Sequence, residues 1–190
     1  MAKQFAAIEP AHRAFIDKQR LFFVASAAPG ARVNLSPKGL DGLRVLGPSQ
    51  VVYLDHTGSG AETSAHLAAG SPLTLMVCAF EGPPLILRLY GRGRIVRRGG
   101  AEYAALLAER FDGREPPGAR QMVMLDVELV QTSCGFGVPL YDYVGERPSL
   151  INWAEAKGED GLRAYRAEKN LRSIDGLETG FEEAQAAVTN

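Results

Sequence analysis

Along most of this chain apolar and polar positions alternate with the period of two that marks β-strands, and only a few stretches take the 3.6-residue period of helices. LFFVASA (21–27) is an almost unbroken apolar run of strand length, closed by the turn signal Ala28-Pro29-Gly30-Ala31. RVNLS (32–36) is a second short strand, cut by Pro37 and Gly39. LRVLG (43–47) and QVVYLD (50–55) follow, with Gly47-Pro48-Ser49 as the turn between them. PLTLMVCAF (72–80) leads through the turn EGPP into LILRLYGRGRIV (85–96). In that long strand Ile86, Arg88, Tyr90, Arg92 and Arg94 share one face, and Leu85, Leu87 and Leu89 the other. Gly91 and Gly93 predict a bend or bulge there. RQMVMLDVELVQTS (120–133) is the last long strand.

Helical patterns separate these strands. Pro10 opens a short amphipathic helix over about residues 11–19. Ser59 and Glu62 match a capping box and predict a helix from Ser59 to Gly70. AEYAALLAERF (101–111) is a third helix, with Leu106, Leu107 and Phe111 as its apolar positions. After Pro139 the composition turns to charged residues and helix formers, interrupted around Gly158–Gly161. The order is therefore helix, four strands, helix, two strands, helix, strand, helical tail. It predicts an α+β chain, mainly β with helices, built as a closed or split barrel rather than a doubly wound sheet. The barrel is expected over residues 1–140. Residues 141–190 are expected to form a helical extension packed on it, with a mobile C-terminal end.

Composition narrows the function classes. Hydrophobic residues make up 46% of the chain, enough for a core of useful size. The formal net charge of −1 provides no global field to recruit nucleic acid or an anionic membrane. The apolar runs are too short to span a bilayer, and the N-terminus carries no long apolar stretch of a secretory signal, so the cytoplasm is the expected compartment. Cys78 and Cys134 make neither a disulfide framework nor a zinc pattern, and His12, His56 and His66 have no metal-ligand spacing.

Three segments carry candidate chemistry. TGSGAETSAH (57–66) places two glycines and the hydroxyls of Ser59, Thr63 and Ser64 at a helix start. Phosphate binding and a plain capped helix both fit it, and Glu62 speaks for the cap. In RVNLSPKG, Arg32, Asn34 and Ser36 share a face and Lys38 follows at the strand end, where it can reach an anion held nearby. The arginines Arg88, Arg92, Arg94, Arg97 and Arg98 surround Tyr90. Given the acidic balance of the whole chain, they point to an interface or a ligand anion rather than to nucleic acid.

Taken in order, FFVASA, RVNLSPKG, VVYLDHTGSGAETSAHL, LTLMVCAFEGPPLILRLYGRG, CGFGVPLYDYVGER and NLRSIDGL resemble the pyridoxamine 5′-phosphate oxidase-like, FMN-binding split-barrel family over most of residues 12–177. The resemblance implies a six-stranded split barrel and a homodimer with an FMN site at each side of the interface. It implies Arg32, Asn34, Leu35, Ser36, Lys38, Ser59, Thr63 and Arg88 as cofactor contacts. Glu62 and Thr63 stand where the oxidase has a basic pair, and the oxidase's C-terminal Arg-x-His motif is missing. Oxidation of pyridoxamine phosphate is therefore not expected. The function implied is an FMN-dependent oxidoreductase of open substrate. The competing readings are a non-catalytic binder of flavin, haem or a phosphorylated ligand, and a cofactor-free dimeric interaction module.

Overall fold

A computed structural model describes residues 2–181. Its centre is one antiparallel sheet of eight strands: β1 (Lys3–Phe5), β2 (Phe22–Ser26), β3 (Asn34–Lys38), β4 (Leu43–Gly47), β5 (Gln50–His56), β6 (Pro72–Cys78), β7 (Ile86–Arg97) and β8 (Ala119–Ser133). Four helices accompany it: α1 (Pro10–Ile16), α2 (Glu62–Ala68), α3 (Ala101–Arg110) and α4 (Ser149–Lys169). Seven strands run in the order β3-β2-β6-β7-β8-β5-β4. β1 pairs with the far end of β8, through Lys3↔Thr132 to Phe5↔Val130. The strand count thus exceeds the six expected, while the split-barrel class holds.

Curvature of the sheet follows from one contact. Four strands separate β3 from β5, which in a flat sheet would hold them about 24 Å apart at ~4.8 Å per strand. Yet Lys38 Nζ on β3 donates to Asp55 Oδ1 on β5 at 2.8 Å. The sheet has rolled until its β3 edge meets β5, and the seam between these two strands is the split. The edge position of β3 also explains why it contains Pro37, which has no N–H to give a ladder. Pro37 sits opposite Phe23 of β2, the only strand that neighbours β3 among the described residues.

The barrel interior is filled by alternate residues such as Val24, Leu73, Leu75, Leu87, Leu89, Val123 and Leu125. A second apolar layer joins Val52, Leu54, Val96, Met122 and Met124 to Tyr103 and Phe111 at α3. That layer covers the outer face of the middle strands. It accounts for the run of seven buried residues that opens β8, where a half-solvated strand would alternate.

The predicted bulge lies where the two glycines placed it. The β7–β8 register shifts between Tyr90 and Gly91. A Cβ on Gly91 would lie 1.9 Å from the Asp126 carbonyl oxygen, so only glycine lets the strands approach there. Residues 134–148 after β8 contain no helix or strand. α4 is broken at Gly158, whose φ of 64° and ψ of 173° are not helical. Trp153 meets Tyr165 edge-to-face at 5.1 Å across that break. In a straight helix twelve residues would span about 18 Å, so the two halves fold back on each other. The expected mobility of the C-terminal end falls on residues 182–190, outside the described residues. No helix among the described residues is long and apolar enough to cross a membrane.

Candidate functional site

A pocket of about 360 Å³ occupies the seam, lined by one face of β3, the end of β5, the loop 57–60, the first turn of α2 and Arg120. Pro37, Gly39, Leu40 and Leu150 also border a larger groove of about 1590 Å³, whose walls include Phe15, Phe80, Pro83, Pro84 and Tyr143. The two spaces are therefore adjacent, and the second is largely apolar.

Strand alternation turns Asn34, Ser36 and Lys38 toward the pocket, as their spacing predicts. Asn34 Nδ2 donates to Thr63 Oγ1 at 3.1 Å, and Ser36 Oγ donates to Asn34 Oδ1 at 3.1 Å. This chain of bonds ties β3 to α2 across the pocket wall. Thr63 and Ser59 also line the pocket. Ser59 is not a helix cap, however: α2 begins at Glu62 with Ala61 in the cap position. The Ser59–Glu62 capping box is not formed, because the Glu62 carboxylate is used elsewhere. It accepts the backbone N–H of Ile174 at 3.0 Å. With only seven residues in α2, the anion chemistry rests on side chains and loop rather than on a helix end.

Three of the expected contacts lie outside the pocket. Arg32 precedes the start of β3, so the strand's alternation does not extend to it. Its guanidinium and backbone N–H both turn to Asp175, the latter at 2.7 Å. Leu35 occupies the opposite face of β3 and is exposed. Arg88 lies on β7, where Nη1 donates to Ser133 Oγ at 3.2 Å. Its neighbours on the arginine face are held by carboxylates: Arg94 by Glu102 at 2.5 Å, and Arg98 by Glu115 and Glu159, each at 2.6 Å.

The electrostatic centre of the pocket was missed by the sequence pattern. Asp55, 3% exposed, accepts from Lys38 at 2.8 Å, from Arg120 Nε at 2.7 Å and from Gln121 Nε2 at 3.0 Å. Burial alone would raise the Asp55 carboxyl, but Arg120 and Lys38 hold it well below the usual carboxylate range. Glu62 also lines the pocket, so the two cations Lys38 and Arg120 face two carboxylates, Asp55 and Glu62. Arg120 also donates to the Gly60 carbonyl at 2.9 Å and to Asn170 Oδ1 at 2.9 Å. His56 lines the pocket with its Nε2 buried and without a hydrogen-bond partner. Burial, against the pull of Asp55, lowers its pKa and favours the neutral ring. A buried Asp inside QVVYLD and an Arg opening an apolar strand were the available signals. Neither reveals its partner until the sheet rolls. Among the described residues no group of His, Cys, Asp and Glu is placed to hold a metal ion.

A split barrel with a pocket of charged and hydroxyl side chains at its seam defines the class. A family model described as pyridoxamine 5′-phosphate oxidase matches residues 8–134. The pyridoxamine 5′-phosphate oxidase family protein ustO of Aspergillus flavus is 40% identical over 176 residues, spanning 84% of this chain and 70% of that protein. The chain belongs to the pyridoxamine 5′-phosphate oxidase family. Among solved structures, a variant of HupZ from group A Streptococcus superposes with a TM-score of 0.54 at 20% identity, over 66% of this chain and 99% of that one. A Lactobacillus delbrueckii protein assigned as a pyridoxamine 5′-phosphate oxidase gives 0.51 at 21% identity, over 66% and 94%. At those identities the two structures speak for the fold alone.

Proposed function

We propose that this protein binds FMN with the phosphate in the seam pocket and works as a flavin-dependent oxidoreductase, as a cytoplasmic homodimer. The observation that carries the reading is the pair of cations Lys38 and Arg120 meeting at Asp55, set beside the side chains of Asn34, Ser36, Ser59 and Thr63. Such a donor set suits a phosphate monoester and a ribityl chain. The unpartnered His56 Nε2 in the pocket wall supports a polar ligand there. The adjacent apolar groove offers room for a planar ring. FMN, when bound, supplies the electron-carrying ring; the residues named here bind and orient it. Lys38 keeps two of its three ammonium donors beyond the one given to Asp55, so it can meet an anion without abandoning the carboxylate.

The test is direct. Purified protein is expected to be yellow, or to take up added FMN, and to bleach with NADH or NADPH and recolour in air. Lys38→Ala is expected to weaken FMN binding by roughly ten- to a hundredfold, the worth of one charge-assisted contact. A colourless protein that takes up no FMN overturns the reading. FMN uptake without any reduction by either nicotinamide or by chemically varied donors reduces it to a flavin carrier.

A further inference from the structure

Residues 166–175 lie beyond the part of the chain that the family model matches, yet four of them hold the rim of the seam pocket. Arg166 Nη1 donates to Thr57 Oγ1 at 3.1 Å. Asn170, fully buried, accepts from Arg120 Nη1 and donates to the Gly58 carbonyl, each at 2.9 Å. Ile174 gives its backbone N–H to Glu62, and Asp175 takes that of Arg32. These bonds run from the lead-in of β3, through the loop 57–60, to the first turn of α2.

The ends of the loop are held, with Thr57 and Ala61 buried and the Thr57 N–H given to the Gly118 carbonyl at 2.7 Å. Its middle is open: a Cβ on Gly58 or Gly60 would meet nothing within 4 Å. Asn170 takes the carbonyl of Gly58, and Arg120, itself held by Asn170, takes that of Gly60. In a trans peptide the following N–H points opposite to the carbonyl. The N–H of Ser59, a residue that lines the pocket, is thereby turned away from Asn170, and among the described residues it meets no protein acceptor. Glu62, which lines the pocket with Asp55, accepts from the backbone N–H of Ile174 and keeps its negative charge.

We propose that Asn170 is a positioning residue for the cofactor pocket: it fixes the loop 57–61 so that its donors serve an anion, and it couples docking of the tail to cofactor binding. The proposal rests on the FMN reading above. Coupling between two sites is reciprocal, so a ligand that needs the ordered loop must in turn hold the tail.

The experiment uses the full chain as wild type, Asn170→Ala and Asn170→Asp. The Asp variant keeps an acceptor for Arg120, loses the donor to Gly58 and adds one negative charge, so it is read by loop exchange and keeps the tail anchored if the alanine variant folds poorly. Hydrogen exchange of residues 57–61 in FMN-free protein is expected to quicken in both variants, on the order of tenfold for one lost hydrogen bond. FMN titration is expected to give a dissociation constant at least about tenfold higher in Asn170→Ala, which adds no charge. In the wild type, added FMN is expected to slow exchange at residues 171–175 as well as in the loop. Unchanged loop exchange in both variants, or unchanged FMN affinity despite a loosened loop, overturns the proposal. A wild-type chain that takes up no FMN overturns the flavin reading and the coupling built on it, and the exchange arm still decides whether Asn170 orders the loop.

Discussion

Asp55 is the residue on which the pocket turns. A lone buried carboxylate would be costly, but three side chains bond to it and two of them carry charge. Removing its charge leaves Lys38 and Arg120 facing each other without compensation. Asp55→Asn is expected to cost about 3–5 kcal/mol at pH 7, the range for breaking a buried ion pair. The sign of the pH dependence follows from the lowered carboxyl pKa. Its stabilisation is complete above the ordinary carboxylate value of about 4 and is lost as pH falls below it. Denaturant midpoints measured from pH 7 to pH 2 are therefore expected to converge for wild type and variant at the acid end. A constant gap would mean that Asp55 acts through shape rather than charge. Of the residues around it, Lys38 was legible as a basic group at a strand end, whereas Asp55 and Arg120 were not. They come from strands 65 positions apart in sequence, and only pairing of β5 with β8 brings them together.

At the scale of elements, local pattern served best where the chain is regular. The strands β2, β4, β6, β7 and β8 lie within a residue or two of their apolar runs. β1 escaped because KQF is three residues long and becomes a strand only by pairing with β8. The start of α2 was misplaced because Glu62 satisfies the tail rather than the cap. The glycines divide cleanly by their surroundings. Gly91→Ala would drive a Cβ into the Asp126 carbonyl, whereas Gly58→Ala meets open space. The first is expected to lower stability by roughly 2 kcal/mol or more, about 4–8 °C in melting temperature. The second is expected to leave stability within about 0.5 kcal/mol while weakening FMN uptake. Thermal melts with and without FMN check both; an FMN affinity unaffected by Gly58→Ala would place the ligand away from the loop.

At the scale of the whole molecule, eight large apolar side chains are exposed among the described residues, and five of them fall between Phe136 and Val144. Leu35, expected to touch the cofactor, is another, on the outer face of the edge strand. Solvent is an unfavourable setting for such a set, and this supports the proposed homodimer. Sedimentation at micromolar concentration is expected to give twice the mass of one chain. Leu140→Asp combined with Val144→Asp is expected to shift it toward the monomer. A wild-type monomer at all concentrations rules the homodimer out. The adjacency of the seam pocket and the wide groove is likewise a property of the assembled chain, since the residues they share come from β3, the turn after it and α4.

The sequence by itself determined the class of the fold, because period-two patterning and turn residues are local and the strands obey them. It also determined the pocket face of β3, since alternation places Asn34, Ser36 and Lys38 together. Tertiary structure alone decided the rest. Rolling of the sheet set Lys38 against Asp55, and pairing with β8 brought in Arg120. Return of the tail removed Arg32 from the site, engaged Glu62 and placed Asn170 behind the loop. Each of these is a contact between residues far apart in the chain, with no spacing in the sequence to announce it.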